Sequence, residues 1–302
     1  MNTEQAKEIL KKVRQIEIRT NRLVNDFFAS RYQSVFKSRD DARTTRENAA
    51  GNKAHALPRN GSTRAGRVFV KKFPEEQELT LLLLVDVSAS GDFSSSNDRK
   101  RRLATELASL LAFSATRNND KVGLVLFSDQ IEHYIPPRKS RQHVLRVLRE
   151  TLFFEPRHRH VNIAGALDFA SQVTRRGAVL FLVSDFHVTG VQEEALFRLR
   201  HAMRMANRRH DLVAMNIHDR NEMELPRVGT LVVEDSETGD WTELDTGNPR
   251  VRRRFAEIAR TRLDQLRRAF VSEGVDSLDL DTREPYLPAL KAFFKIRERR
   301  MQ

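Results

Sequence analysis

Residues 79–90, LTLLLLVDVSAS, decide the fold of this 302-residue chain. An unbroken aliphatic run that is bounded by polar residues is typical of a strand buried on both faces, as in a parallel sheet. Similar runs at residues 121–127, 178–183 and 212–217 predict further strands, and helical patterns occupy the stretches between them. Strands that alternate with helices in this way predict an α/β fold with a doubly wound, mainly parallel sheet.

The remaining elements fit around this sheet. Residues 131–135, IEHYI, predict a short antiparallel edge strand after a tight turn, and residues 230–244 predict a polar hairpin. An arginine-rich helix at residues 250–268 follows, then a last strand around Leu278 and a closing helix that starts at Pro285. The earlier helices are predicted at residues 99–116, at 140–152 with Ser140 as the cap, at 163–174 and at 191–209.

The N-terminal quarter differs from the rest in composition. Residues 4–28 carry apolar side chains near helical spacing, which predicts one amphipathic helix that docks on something larger. From residue 37 to residue 67 the only large aliphatic or aromatic side chain is Leu57 and eight residues are basic, so this stretch cannot build a core. We therefore expect an accessory helix and polar loop over residues 1–76, and one main domain over residues 77–302 that ends in basic helices.

Composition excludes some kinds of site. The chain has no cysteine, so it holds neither a disulfide nor a thiolate metal or redox site. Its first residues are charged throughout, and no apolar run is long enough to cross a bilayer, so we expect a cytoplasmic protein without a membrane span. Lys and Arg number 53 against 41 acidic residues. The formal charge of +12 favours acidic partners, nucleic acid or anionic lipid without choosing among them.

Polar residues follow two of the predicted strands at the point where each strand ends. Asp86, Ser88 and Ser90 are spaced by two, so an extended backbone points all three side chains the same way. Asp185 follows the strand at residues 178–183, and the carboxyl ends of the strands form the ligand-binding edge of such sheets. Two carboxylates and two hydroxyls suit Mg²⁺, with a coordination position left open for a carboxylate of a partner. The alternative is that Asp86 and the serines only cap a helix and shape a turn.

The element Asp86-Val-Ser-Ala-Ser90 resembles the Asp-x-Ser-x-Ser element of the metal-ion-dependent adhesion site in von Willebrand factor A domains. The chain is also similar to the bacterial domain-of-unknown-function 58 family over six stretches, which are VFVKKFPEEQELTLLLLVDVSASGDF, IPPRKSRQHVLRVLRETL, FLVSDF, RRHDLVAM, LPRVGTLVVEDSETG and REPYLPALKAFFKIRERR. The resemblance implies a von Willebrand factor A-like, Rossmann-like fold and a site for Mg²⁺, Mn²⁺ or Ca²⁺ at Asp86, Ser88, Ser90 and Asp185. It also implies a MoxR-type AAA ATPase as a partner, with the pair acting like a chaperone on a client protein complex.

Two motifs of that family match poorly. Where the family has a threonine, this chain has His160-Val161-Asn162, so Val161 stands at the position of a hydroxyl ligand. Valine has the shape of threonine without its oxygen, and we expect weakened cation binding unless a water, His160 or Asn162 takes that place. The N-terminal motifs of the family match only at Arg46, Glu47, Gly51 and Arg64.

No catalytic set of residues emerges from the sequence, and we expect the chain not to be an enzyme. It has no Gly-x-Ser-x-Gly element, no Gly-rich phosphate loop and no histidine pair at metal-ligand spacing on a helix. The main alternative function is nucleic-acid binding, because the arginine-rich helix and residues 37–67 could neutralise phosphates. One Trp and three Tyr offer few stacking platforms for single strands.

Overall fold

The computed structural model describes residues 78–88, 95–158, 160–175, 177–187, 193–234 and 241–301. The predicted accessory segment at residues 1–76 and the candidate ligand Ser90 lie outside these ranges. The expectations for that segment and for the boundary after residue 76 therefore stay predictions.

A six-stranded sheet lies at the centre of the described chain. Its strands are β1 (Thr80–Asp86), β2 (Lys121–Phe127), β3 (Ile131–Arg138), β4 (Val179–Ser184), β5 (Asp211–His218) and β8 (Asp276–Asp281). They lie in the order β3-β2-β1-β4-β5-β8, and only the edge strand β3 runs antiparallel to its neighbour. A separate two-stranded sheet is formed by β6 (Thr230–Glu234) and β7 (Trp241–Asp245). The predicted α/β class, with a mainly parallel sheet, is thus confirmed.

Helices cover both faces of the central sheet. They are α1 (Ser95–Arg117), α2 (Arg141–Phe153), α3 (Ile163–Val173), α4 (Glu193–Arg209), α5 (Arg220–Met223), α6 (Pro249–Ser272) and α7 (Tyr286–Met301). Leu81, Leu83 and Val85 of β1 join the core formed with α1, α2 and α7. Leu82 and Leu84 join the core formed with α3, α4 and α6. The aliphatic run of β1 is therefore buried on both faces, and the sheet is doubly wound as predicted.

Local sequence signals are found at the beginning of α2 and at the end of α6. Ser140 accepts a hydrogen bond from the backbone N–H of His143 at 3.1 Å, so it caps α2 as predicted. Gly274 has a φ of 64°, a left-handed conformation that favours glycine, and it lies just after the end of α6. Within the described residues, no helix combines the length and the apolar character that a membrane crossing requires.

Some details differ from the sequence-based expectation. The single-turn helix α5 was not predicted, although Asp219 and Glu222 form a reciprocal capping box that starts it. The fully buried residues of the arginine-rich helix α6 lie near its C-terminal end, at Ala269 and Phe270. Ile258, in the middle of α6, is 55% exposed.

Candidate functional site

Asp86 lies at the carboxyl end of β1, in the middle of the sheet. Val85 pairs with Val183, so β1 and β4 end at the same level. The Oδ1 atom of Asp86 accepts hydrogen bonds from the backbone N–H of Ser88 at 2.9 Å and from its hydroxyl at 2.6 Å. The Oδ2 atom accepts from the hydroxyl of Ser184 at 2.6 Å. All of these donors are neutral.

Asp185 is the residue after β4 and brings a second carboxylate to this edge. Its Oδ1 atom accepts from the backbone N–H of His187 at 3.0 Å, and its Oδ2 atom accepts from the Nζ of Lys100 at 2.8 Å. Phe186, between Asp185 and His187, has a φ of 49°, which is a strained conformation for a large side chain. Phe186 is buried against Phe270 of α6, with 5.1 Å between ring centroids, and this packing holds the turn in place.

The two carboxylates have opposite electrostatic surroundings. Burial and the charge of Asp185 raise the pKa of Asp86 to about 6, even though Ser184 and Ser88 donate hydrogen bonds to it. Burial alone would also raise the pKa of Asp185, but the charges of Lys100 and His187 hold it well below its usual range. The predicted convergence of Asp86, Ser88 and Asp185 at one edge is therefore observed, and within the described part of the chain Asp185 is the one that forms an ion pair, with Lys100.

Lys100 joins three elements at this edge. Its ammonium group lies 2.8 Å from Asp185 and 2.5 Å from Glu222 of α5, and its side chain is only 12% exposed. Burial by itself would lower the pKa of Lys100, but the charges of Asp185 and Glu222 raise it above its ordinary value. A protonated lysine thus already acts as a counter-cation for one of the two candidate metal-binding carboxylates.

A small open pocket of about 40 Å³ lies beside Asp185, between α5 and α6. Arg262 of α6 lines it, together with Asn216, His218 and Glu222. Burial lowers the pKa of Arg262, although the charges of Asp185 and Glu222 act in the opposite direction. Arg262 therefore presents a cationic group to this pocket, within the influence of the carboxylates of Asp185 and Glu222.

The residues of the poorly matching second motif lie near α3. The side chain of Asn162 accepts a hydrogen bond from the backbone N–H of Gly165 at 2.9 Å and so caps α3. Val161 is partly buried against the core beneath α3, and His160 is exposed. Asn162 is therefore engaged in helix capping rather than directed toward Asp86.

Sequence reasoning missed Lys100, Glu222 and Arg262. Lys100 and Arg262 are charged residues within predicted helices, and such side chains are usually solvated. The only local signal was the Asp219-x-x-Glu222 spacing of a capping box, which does not reveal that Glu222 turns toward Lys100. Such contacts depend on how α1, α5 and α6 meet.

The donors present at this edge fit a hard divalent cation. Asp86, Ser88, Ser184 and Asp185 offer carboxylate and hydroxyl oxygens, which Mg²⁺, Mn²⁺ and Ca²⁺ accept. In the described ranges no three Asp, Glu or His side chains come together as a metal-binding group. The ammonium group on Asp185 also indicates that this edge attracts positive charge.

The family comparison covers all of these residues. A model of the family described as Protein of unknown function DUF58 matches residues 44–265. The chain belongs to the DUF58 family. The matched range includes the whole candidate site, from Asp86 to Arg262, and ends within α6.

Individual proteins and solved structures are similar to this chain over most of its length. The uncharacterized protein Rv1480 of Mycobacterium tuberculosis is 28% identical over 232 residues, which cover 76% of this chain and 71% of that protein. BatB from Bacteroides thetaiotaomicron has a TM-score of 0.42 at 13% identity, covering 73% of this chain and 99% of that chain. The von Willebrand factor type A protein from Catenulispora acidiphila has a TM-score of 0.38 at 13% identity, covering 74% of this chain and 43% of that chain. Overlaps this low assign neither a ligand nor an activity.

Several arginine side chains of α6 contact other parts of the protein. The side chain of Arg252 donates to the backbone carbonyls of Thr246 and Gly247, and Arg267 pairs with Asp279 at 2.8 Å. Arg262 faces the pocket beside Asp185. Several arginines that could have contacted phosphates are thus directed at the protein itself, which weakens the nucleic-acid alternative.

Proposed function

We propose that this DUF58 protein is a non-catalytic interaction module that binds an acidic segment of a partner through a divalent cation at the carboxyl edge of the sheet. The partner system is a MoxR-type AAA ATPase together with a client protein complex, on which the pair acts like a chaperone. This part of the proposal rests on the resemblance to the DUF58 family. The resemblance consists of the six similar stretches and the Asp86-Val-Ser-Ala-Ser90 element.

One observation carries the metal-dependent part. Asp86 is a partly buried carboxylate that, among the described residues, accepts hydrogen bonds from the neutral Ser88 and Ser184 and lies beside a second carboxylate. A buried charge without a counter-charge is costly, and it is retained where a ligand or ion completes it. Asp86, Ser88, Ser90 and Asp185 would hold the cation, with Ser184 supporting Asp86. When bound, the cation would supply an electrophilic centre for one carboxylate oxygen of the partner.

The charge balance of the site supports an acidic ligand. In the part of the site that the structure describes, three carboxylates, Asp86, Asp185 and Glu222, interact with two cationic groups, Lys100 and Arg262. With a divalent cation added, the sum changes from one excess negative charge to one excess positive charge. A single carboxylate of the partner then restores neutrality, and the pocket beside Asp185 gives that carboxylate a place next to Arg262.

Calorimetric titration with MgCl₂, repeated with MnCl₂, tests the cation site. We expect saturable binding at millimolar concentration or tighter, and a loss of affinity of about tenfold or more in Asp86→Asn, which keeps the shape but removes the charge. Asp168→Asn is the matched control, because Asp168 is an exposed aspartate on α3 and its substitution should change nothing. Absence of saturable heat in the unmodified protein would contradict the proposal.

The partner is tested separately by sedimentation of mixtures with a MoxR-type ATPase. All mixtures contain Mg²⁺, since the ATPase itself needs it to bind nucleotide. A complex that forms with Asp168→Asn but not with Asp86→Asn supports the proposal, whereas equal complexes would place the contact elsewhere. Retention on heparin that falls steeply with salt and ignores Mg²⁺ would favour nucleic-acid binding instead.

A further inference from the structure

The hairpin formed by β6 and β7 presents one fully exposed face that combines an aromatic side chain with carboxylates. Val232 lies opposite Glu243, and Thr230 lies opposite Asp245, so these four side chains point to the same side. Trp241 follows the same alternation along β7. Trp241 is 67% exposed and Val232 is 54% exposed, and Glu243 and Asp245 are exposed beside them.

The charge of the hairpin is opposite to that of the chain. Residues 230–245 contain six acidic residues and neither Lys nor Arg, in a protein whose formal net charge is +12. A hairpin that only faces solvent does not require an excess of acidic residues. The acidic segment instead provides local attraction for a positively charged ligand that the rest of the surface repels.

The hairpin pairs with no other strand in the described part of the chain. It forms a sheet separate from the central one. Its base is fixed where the Thr246 hydroxyl donates to the Gly229 carbonyl at 2.6 Å and where Arg252 donates to the Thr246 carbonyl at 2.5 Å. A two-stranded hairpin by itself is only marginally stable in water. A partner that covers its exposed face would stabilise it and remove the indole of Trp241 from solvent.

We propose that this face, consisting of Thr230, Val232, Trp241, Glu243 and Asp245, docks an arginine-bearing basic segment of a partner protein. Tryptophan is the best aromatic platform for a guanidinium group, and carboxylates bind guanidinium through paired hydrogen bonds. Exposed tryptophans are also frequent anchors of protein interfaces. This surface goes beyond the proposed function, because it is built from different residues and selects the opposite charge. The protein would then join an acidic partner at the sheet edge to a basic one at the hairpin.

The experiment uses dye-labelled octa-arginine as the probe, with octa-lysine for comparison. Trp241 is the only tryptophan of the chain, so its emission reports on this face directly, while probe anisotropy gives the affinity. We expect saturable binding with a change in Trp241 emission, and tighter binding of octa-arginine than of octa-lysine. Glu243→Gln and Trp241→Ala should each weaken binding by about tenfold. Glu257→Gln, which removes an exposed carboxylate from α6, should leave it unchanged.

Other outcomes would overturn the proposal. Absence of saturable binding would do so, as would equal losses in Glu243→Gln and Glu257→Gln. Equal binding of both peptides without a change in Trp241 emission would indicate charge attraction alone. Concentration-dependent emission without peptide, together with a dimer in sedimentation, would assign the face to a second copy of this chain. Repeating the titration with Asp86→Asn separates this surface from the cation site, because binding should persist there even if the metal proposal fails.

Discussion

The two ends of the central sheet hold buried charges in opposite ways. At the amino end, Arg297 is 2% exposed and donates to both carboxylate oxygens of Asp211 at 2.7 Å, while its Nε lies 3.1 Å from Asp276. Arg300 pairs with Asp276 at 2.9 Å, so two carboxylates face two guanidinium groups. At the carboxyl end, the described donors to Asp86 are the neutral Ser88 and Ser184, and a second carboxylate lies beside it.

This difference separates a structural cluster from a candidate site. Buried ion pairs are tolerated when each charge has a partner of opposite charge, and each carboxylate of the amino-end cluster has one. Where buried charges of opposite sign do not balance, the free energy of the unliganded protein is raised. Binding of a cation or another charged ligand can then lower this free energy. Carboxylates with paired charges should therefore govern stability, and the incompletely paired Asp86 and Asp185 at the carboxyl end should govern binding.

The largest effect is expected at the amino end. Arg297→Met should lower the free energy of unfolding by about 3–5 kcal/mol, because it removes the guanidinium group that pairs with the buried Asp211 and with Asp276. Denaturant unfolding measures this, with Arg299→Met as a control at an exposed position on the same helix. Mg²⁺ affinity in Arg297→Met should stay unchanged under conditions where it is folded. A stability loss no larger than that of the control would remove the contrast between the two ends.

The next prediction concerns a carboxylate at the carboxyl end that is fully paired. Burial alone would raise the pKa of Asp219, but hydrogen bonds from Thr282 and Asn221 and the Arg99 guanidinium lower it from 3.8 to about 2. A lowered folded-state pKa contributes stability above the unfolded value of 3.8, and this stability is lost as the pH falls toward 2.

Asp219→Asn should accordingly lower the free energy of unfolding by about 2 kcal/mol at pH 7. The difference from the unmodified protein should shrink as the pH falls from 4 to 2, which denaturant unfolding at several pH values can follow. Asp168→Asn should show no such convergence. A difference that stays constant with pH would mean that the pairing of Asp219 contributes through shape rather than charge.

The sequence alone predicts the fold in more detail than the site. Aliphatic runs such as residues 81–85 identify buried strands because both faces of a parallel sheet must be apolar, and the strand ends then locate Asp86 and Asp185. The contacts of Lys100, Glu222 and Arg262 have no such local cause. They arise where α1, α5 and α6 meet beyond the sheet, and side chains of this type are usually solvated. Charge pairing between helices distant in sequence is therefore the part that required the structure.

Lys100 offers a way to sharpen the contrast between binding and stability. If a cation binds at Asp185, the ammonium group that lies 2.8 Å from that carboxylate competes with it. An exposed ion pair contributes up to about 1 kcal/mol, and the pair of Lys100 with Asp185 is mostly buried. Because about 1 kcal/mol corresponds to about a fivefold change in a binding constant, Lys100→Met should tighten Mg²⁺ binding by about fivefold or more in calorimetry. Lys139→Met, which removes an ion pair with Glu78 at the other end of β1, should not. Weaker binding in Lys100→Met would mean that Lys100 supports the cation site instead of competing for it.

The smallest effect is expected at Val161, where a hydroxyl is missing. Val161→Thr introduces a hydroxyl at the position where the family resemblance implies a threonine. It should tighten Mg²⁺ binding by a few-fold. This is within the range of about 10-fold that supporting groups at metal sites contribute. Val161 is partly buried against the core beneath α3, so the hydroxyl should also cost a little stability, about 1 kcal/mol or less. The gain in affinity must vanish in the double variant with Asp86→Asn, since a hydroxyl alone cannot replace the carboxylate. If calorimetry finds no gain in the single variant, a water or His160 already fills that coordination position, because Asn162 is engaged in capping α3.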